Sequence, residues 1–316
     1  MDHGFPARLT RLTRRLLRST RSPTRAVESA LHDLTELLGN AQPAQWMPSP
    51  LSPVSPLSPL SPKPAPAPAP ANGFAPGTFG ETTGFGANPG QLHMLQYLPA
   101  QKTRVGAPLL VLLHGCGQDA AGFARASGFT ALADRVGAPL VLPQQQQANN
   151  QGGCFNWFQP GDVGRGGGEA ASIAQMVARA IQQYKCDPAQ VFVAGLSAGG
   201  AMAAALLAAY PDVFAAGGVV AGLPVGAATD LRSALARMKS VGNEAAEDWA
   251  ARASLARAGG IVWPHVPRLS VWSGNADRTV DPANADALVA QFTRLHGLPE
   301  TPDRDEDVAP GIRRLA

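Results

Sequence analysis

One pentapeptide in this chain has the residue types and spacing of a nucleophile held on a turn. Gly195-Leu196-Ser197-Ala198-Gly199 fits the pattern G-x-S-x-G, in which a tight strand-to-helix turn lifts a serine oxygen clear of a sheet and two glycines relieve the crowding. Composition alone yields such a match ~0.2 times in a chain like this, so the flanks decide. Residues 191–194 supply a buried strand before the turn. Residues 200–210 (GAMAAALLAAY) supply an apolar helix after it, with small side chains where that helix must approach the sheet. A serine hydroxyl is a weak nucleophile until a base takes its proton, and the tetrahedral oxyanion it creates needs hydrogen-bond donors. The chemistry expected of Ser197 is therefore acyl transfer.

The donors expected are two backbone N–H groups. One belongs to Ala198, next to the nucleophile. The other belongs to Cys116, in His114-Gly115-Cys116-Gly117 after the apolar run 109–113, which is where a serine hydrolase built on an α/β sheet places its second donor. This asks nothing of the Cys116 thiol, which reads as a small buried group. His114 precedes the nucleophile and reads as a loop anchor, not as the base. The acid is expected in a loop after a later strand: residues 269–273 form that strand, Asp277 follows in Gly274-Asn275-Ala276-Asp277, and Asp281 is the competitor. Against this stands a simpler reading in which Asp277 only starts a turn or caps the helix near 283.

The elements that must position these groups alternate. Residues 92–98, 109–113, 140–142, 191–194, 219–221 and 269–272 read as strands, several of them continuous apolar runs suited to a parallel sheet buried on both faces. Helical stretches fall at 120–136, 168–184, 198–209, 244–258 and 283–295. The expected architecture is α/β, a doubly wound, mostly parallel sheet of the α/β-hydrolase type over residues 91–316.

Upstream, residues 1–42 form a basic tail. Residues 1–25 carry seven arginines and one aspartate, so the formal net charge of +3 belongs to the tail and the remainder is net acidic. The body gives no case for nucleic-acid binding. Leucines 9, 12 and 16, then Val27, Leu31, Leu34 and Leu38, recur at helical spacing with Pro23 between the runs. Residues 8–38 could lie on a hydrophobic surface such as a membrane or storage granule, or pack on the protein itself. Residues 43–90 read as a linker: eleven prolines fall within 43–70, an extended spacer, and 71–90 read as a loose lead-in. No apolar h-region of a secretory signal is seen, which places the chain in the cytoplasm, with granules as one address and an extracellular setting as the alternative. Three cysteines, Cys116, Cys154 and Cys186, are too few and too odd for a disulfide framework; one bridge, for instance Cys154 to Cys186, stays open. Cysteine and histidine show no metal-ligand spacing, so no metal is expected.

The combined motifs resemble the polyhydroxybutyrate depolymerase family of esterases. The matching pieces are LLHGCGQ at 112–118, GGCFNWF at 152–158, GLSAGGAM at 195–202, AGLPVGAA at 221–228 and WSGNADRTVDPANA at 272–285, within about residues 91–298. The resemblance implies serine-ester hydrolysis with triad order Ser, Asp, His. It carries the nucleophile onto Ser197, the acid onto Asp277 and the oxyanion donor onto Cys116. It also implies short hydroxyacyl polyesters or oligomers as substrate and no cofactor. Trp157 matches an aromatic position and reads either as a wall of the acyl cleft or as a core aromatic. Two other readings stand beside this one: a carboxylesterase for feruloyl or acetyl groups, served by the same motifs, and a catalytically dead binding protein held on a granule. The second arises because the base is missing from its place. After Asp277 the sequence holds one histidine, His296, at the end of the following helix, a position that reads as an ordinary helix end. The expectation is a chain truncated or frame-shifted before its base, with PGIRRLA at 310–316 starting a strand, the last strand and helix of the fold missing, and a sheet edge left open.

Overall fold

In a computed structural model, residues 77–242, 245–256, 266–299, 301–309 and 311–315 are described. The amphipathic runs at 8–38 and the proline-rich segment at 43–70 lie outside them. The main sheet has seven strands: β1 (Phe79–Thr82), β2 (His93–Tyr97), β3 (Leu109–Leu113), β4 (Leu140–Gln144), β5 (Val191–Leu196), β6 (Ala216–Val220) and β7 (Arg268–Trp272). Their order across the sheet is β1-β2-β4-β3-β5-β6-β7. The five from β4 to β7 run parallel, and β1 and β2 are antiparallel at one end.

The continuous apolar runs read from the sequence are the central strands: β3 (LLVLL) is buried throughout, and so is all of β5 except its last residue. Alternate residues feed two layers. Leu109, Val111, Leu113, Val191, Val193 and Val219 pack with α4 (Gly168–Tyr184), α5 (Ala198–Ala209) and α8 (Ala283–His296). Leu110, Leu112, Leu140, Leu142, Phe192 and Ala194 pack with α1 (Ala120–Ala126) and α2 (Phe129–Val136). Every residue of α5 is buried, which is why its sequence is all small or aliphatic.

Several expectations shift. The lead-in at 71–90 contains β1, an edge strand held by Phe79 against the Tyr97 ring and under the Arg125 guanidinium. The helix expected over 120–136 is two helices, because Gly128 turns left-handed (φ 78°) between them. The strand expected at 219–221 is Ala216–Val220; Gly217 and Gly218 hid its start, and a Cβ at Gly217 would press on Leu207 of α5. Within the polar tail a separate hairpin pairs β8 (Asp305–Ala309) with β9 (Ile312–Leu315), laced by Arg313–Asp305 and Arg314–Glu306 pairs. Three further helices lie among the described residues: α3 (Pro160–Val163), α6 (Leu231–Lys239) and α7 (Ala246–Leu255). Among the described residues β7 is the outer strand of the sheet, and four of its five residues are half-buried. Beside it a small apolar cavity of about 50 Å³ lies on the α1/α2 side, lined by Leu112, Phe129, Leu196, Val220 and Trp272 among others.

Candidate active site

Ser197 sits between the end of β5 and the first residue of α5 with φ 55° and ψ −117°. That backbone is strained for a residue with a side chain and persists where the surroundings over-determine it. Here they do. The Ser197 N–H donates to the Val220 carbonyl on β6 (2.9 Å), and Ala201 N–H returns to the Ser197 carbonyl (2.9 Å). A Cβ at Gly195 would overlap the carbonyl of Gly199, and one at Gly199 would overlap the carbonyls of Leu113 and His114. Both positions of the motif therefore require glycine. Among the described residues the Ser197 hydroxyl takes no hydrogen bond, and neither does the N–H of Ala198 or of Cys116. The Ala198 N–H also opens α5, where the helix dipole favours negative charge.

The Cys116 loop is fixed from three sides. Gln118 Oε1 accepts the Gly115 N–H (2.8 Å). His114 is fully buried; its Nδ1–H donates to the Gly115 carbonyl (2.8 Å) and its Nε2 accepts the Gln145 N–H (3.2 Å). Burial pushes its pKa down, so both nitrogens are engaged on a neutral ring: an anchor, as the sequence suggested. The third tie corrects the sequence reading. Cys116 is exposed and forms a disulfide with Cys154, while Cys186 is the buried free thiol, its pKa pushed up to about 11 by burial. The pairing expected as an option, Cys154 to Cys186, does not occur. Cys116 and Cys154 lie 38 residues apart, and only the fold brings them together.

Cys154 opens the segment that also holds Trp157. Trp157 is 6% exposed, meets Phe158 edge-on at 5.7 Å, and belongs to a buried cluster with Ala198, Leu223, Trp249 and Val280. It is a buried aromatic in the same cluster as the residue after Ser197 and as Val280, three residues past Asp277. The Asp277 loop follows β7. Asp277 Oδ1 accepts N–H groups of Thr279 (2.7 Å) and Val280 (3.1 Å); Oδ2 takes no hydrogen bond among the described residues. Asp281 Oδ1 accepts the Ala283 N–H (3.0 Å), a turn bond across Pro282, the N-cap of α8; Asp277 likewise starts a turn. The helix α6, which the sequence reading did not single out, steadies this loop: Lys239 Nζ donates to the carbonyls of Arg278 (2.6 Å) and Thr279 (3.1 Å), and the Asp281 N–H to that of Met238 (2.8 Å). Its signal was present as Asp230-x-x-Ser233, a capping box.

No described histidine completes a triad. His296 bonds through Nε2 to the Pro267 carbonyl (3.2 Å), just before β7 begins. Ser197 lies past the end of β5, which runs parallel to β7, so a strand length of roughly 16 Å separates them. His93 lies on β2, three strand positions or roughly 14 Å from β5, and is tied to Glu81 (2.6 Å). His3, His32 and His265 lie outside the described residues.

The family model for Esterase PHB depolymerase matches residues 92–306. The chain belongs to this esterase family. Among its relatives, poly(3-hydroxyalkanoate) depolymerase C of Paucimonas lemoignei is 44% identical over 230 residues, covering 72% of this chain and 54% of that protein. Feruloyl esterase B of Talaromyces funiculosus is 29% identical over 74% of this chain and 67% of its own length. The chain thus spans about half the length of the first of these relatives. Of solved structures, the acetyl xylan esterase from Aspergillus awamori superposes with a TM-score of 0.68 at 26% identity, covering 73% of this chain and 84% of that one. The fold is that of an α/β-hydrolase, and the esterase family supplies a chemistry that the serine turn, its uncommitted amides and the carboxylate loop can serve.

Proposed function

We propose that this chain is a serine ester hydrolase acting on polyhydroxyalkanoate or its short oligomers through an acyl-enzyme. The observation that carries the reading is a serine held at positive φ by over-determined packing, with backbone N–H groups, unbonded among the described residues, at Ala198 and, after the adjacent strand β3, at Cys116. In this scheme the Ser197 oxygen attacks the ester carbonyl and its proton passes to an imidazole. The amides of Ala198 and Cys116 stabilise the oxyanion, and the alcohol half leaves with that proton. Water then attacks the acyl-serine and releases the hydroxy acid. Asp277, with Oδ2 unengaged, would orient the imidazole. Trp157 would back the acyl cleft from below.

Because the described residues bring no imidazole to Ser197, turnover without one rests on the amides and substrate binding, which leave about 10³–10⁴ over water in triads so depleted. The kinship with the Paucimonas depolymerase supports a polyester substrate; the feruloyl and acetyl xylan esterase relatives favour a second reading, small aromatic or acetyl esters. The Cys116–Cys154 bridge favours an oxidising compartment, hence the extracellular alternative. The deciding experiment compares 3-hydroxybutyrate oligomers with methyl ferulate and p-nitrophenyl acetate, each with free imidazole supplied. Higher kcat/KM on the oligomers supports the polyester reading, and the reverse order would replace it with the second.

A further inference from the structure

One buried carboxyl beside this site takes no part in the chemistry above. Glu169, in the first turn of α4, is 1% exposed. Its Oε1 accepts from Gln145 Nε2 (2.6 Å) and its Oε2 from the Asn156 N–H (2.9 Å). Gln145 Nε2 also donates to the Cys154 carbonyl (2.9 Å), while Gln145 Oε1 accepts from the Gln146 N–H (2.8 Å) and Asn149 Nδ2 (3.0 Å). Two further bonds hold the same backbone, from the Cys154 N–H to Asn150 Oδ1 (3.5 Å) and from the Gln159 N–H to the Asn156 carbonyl (2.9 Å); the tie from the Asn156 N–H to α4 runs through Glu169. Cys154 is bonded to Cys116, and Trp157 shares a buried cluster with Ala198. The Cys116 loop, tied also by Gln118 and His114, is thus linked through the disulfide to this carboxyl group.

We propose that Glu169 is a positioning residue: its buried carboxyl locks the Cys154–Trp157 segment and, through the disulfide, the Cys116 loop. The consequence for catalysis rests on the esterase reading; the clamp itself does not. Burial raises the Glu169 pKa to about 8 against the pull of the Gln145 and Asn156 donors, with the Asp162 charge adding to the rise. The titratable group facing it is Asp162 of α3, whose Oδ1 accepts the Glu169 N–H (3.2 Å); His114 at the end of β3, a neutral ring, is joined to the Gln145 backbone and not to Glu169. Arg165, on the intervening loop, is paired with Asp212, and disulfide sulfurs do not titrate. A carboxyl whose folded pKa lies above its free value binds its proton more tightly when the segment is closed. Closure is thus fully favoured below the ordinary carboxylate range and loses ground as pH rises to about 8.

The test follows amide hydrogen exchange of peptides covering residues 152–158 in the full chain, corrected for the intrinsic rate, from about pH 5 to about pH 9. Protection is expected to fall about tenfold or more and to level off near pH 8, and to stay flat in Glu169→Gln. Reduction of Cys116–Cys154 by a phosphine, normalised to a free disulfide peptide, should accelerate over the same range in the wild type alone. If wild-type protection does not change with pH, or Glu169→Gln keeps the same slope, the proposal is overturned. Should that variant not fold, Asp162→Asn serves in its place: losing the neighbouring charge moves the midpoint to lower pH, and an unmoved midpoint overturns the proposal. Neither readout requires turnover, so the clamp and the esterase reading fail separately.

Discussion

The two halves of the candidate site are built differently. On the Ser197 side, glycine contacts, a disulfide, a neutral buried histidine and a buried carboxyl each fix a backbone that would otherwise relax. On the Asp277 side, the loop follows a half-buried strand that is outermost among the described residues, residues 274–276 are exposed, and the fixing contacts are local turn bonds, Lys239 and the bond from the Asp281 N–H to Met238. The proposed nucleophile and oxyanion donors are held by the core, whereas the carboxylate proposed as the acid is held by local turn bonds. Backbone donors act by position alone, so their side needs rigidity; a carboxylate that orients an imidazole tolerates more freedom.

This contrast can be broken by mutation. Cutting the bridge with Cys154→Ser should cost most: releasing a loop of 38 residues lowers stability by about 4 kcal/mol in the chain-entropy account, read by urea unfolding of oxidised and variant proteins. Gly199→Ala should follow, losing about 3 kcal/mol because its methyl meets two backbone carbonyls that cannot withdraw; a loss no larger than at an exposed glycine would contradict the over-determined turn. On the other side, Asp277→Ala should cost about 1 kcal/mol, the worth of a local cap, again read by urea unfolding. Lys239→Ala should cost least, under about 1 kcal/mol, since its ammonium is exposed. An Asp277 effect as large as that of the bridge would erase the distinction.

The same contrast sorts what could be read from the sequence. The turn at Ser197 was legible because glycine spacing, a preceding apolar strand and a following small-residue helix are all local. The apolar runs of β3, β4, β5 and β7 were legible for the same reason. The bridge was not, because Cys116 and Cys154 become neighbours only through the arrangement of β3, β4 and the loop after them. Glu169 was equally hidden: as a charged residue at a helix start it looks like an ordinary dipole partner, and its burial comes from Gln145 and Asn156. The strand β6 was misplaced because its glycines carry no strand signal, although they let α5 approach. The edge strand β1 was overlooked because a four-residue polar stretch pairs only with a neighbour whose register the sequence does not state.

The central claim is that hydrolysis depends on the Ser197 hydroxyl. The direct measurement is turnover of p-nitrophenyl butyrate by the full chain and by Ser197→Ala, each with and without free imidazole, after subtraction of the protein-free rate. The account predicts turnover in the wild type that imidazole raises and that Ser197→Ala abolishes; equal rates in the two proteins would contradict it.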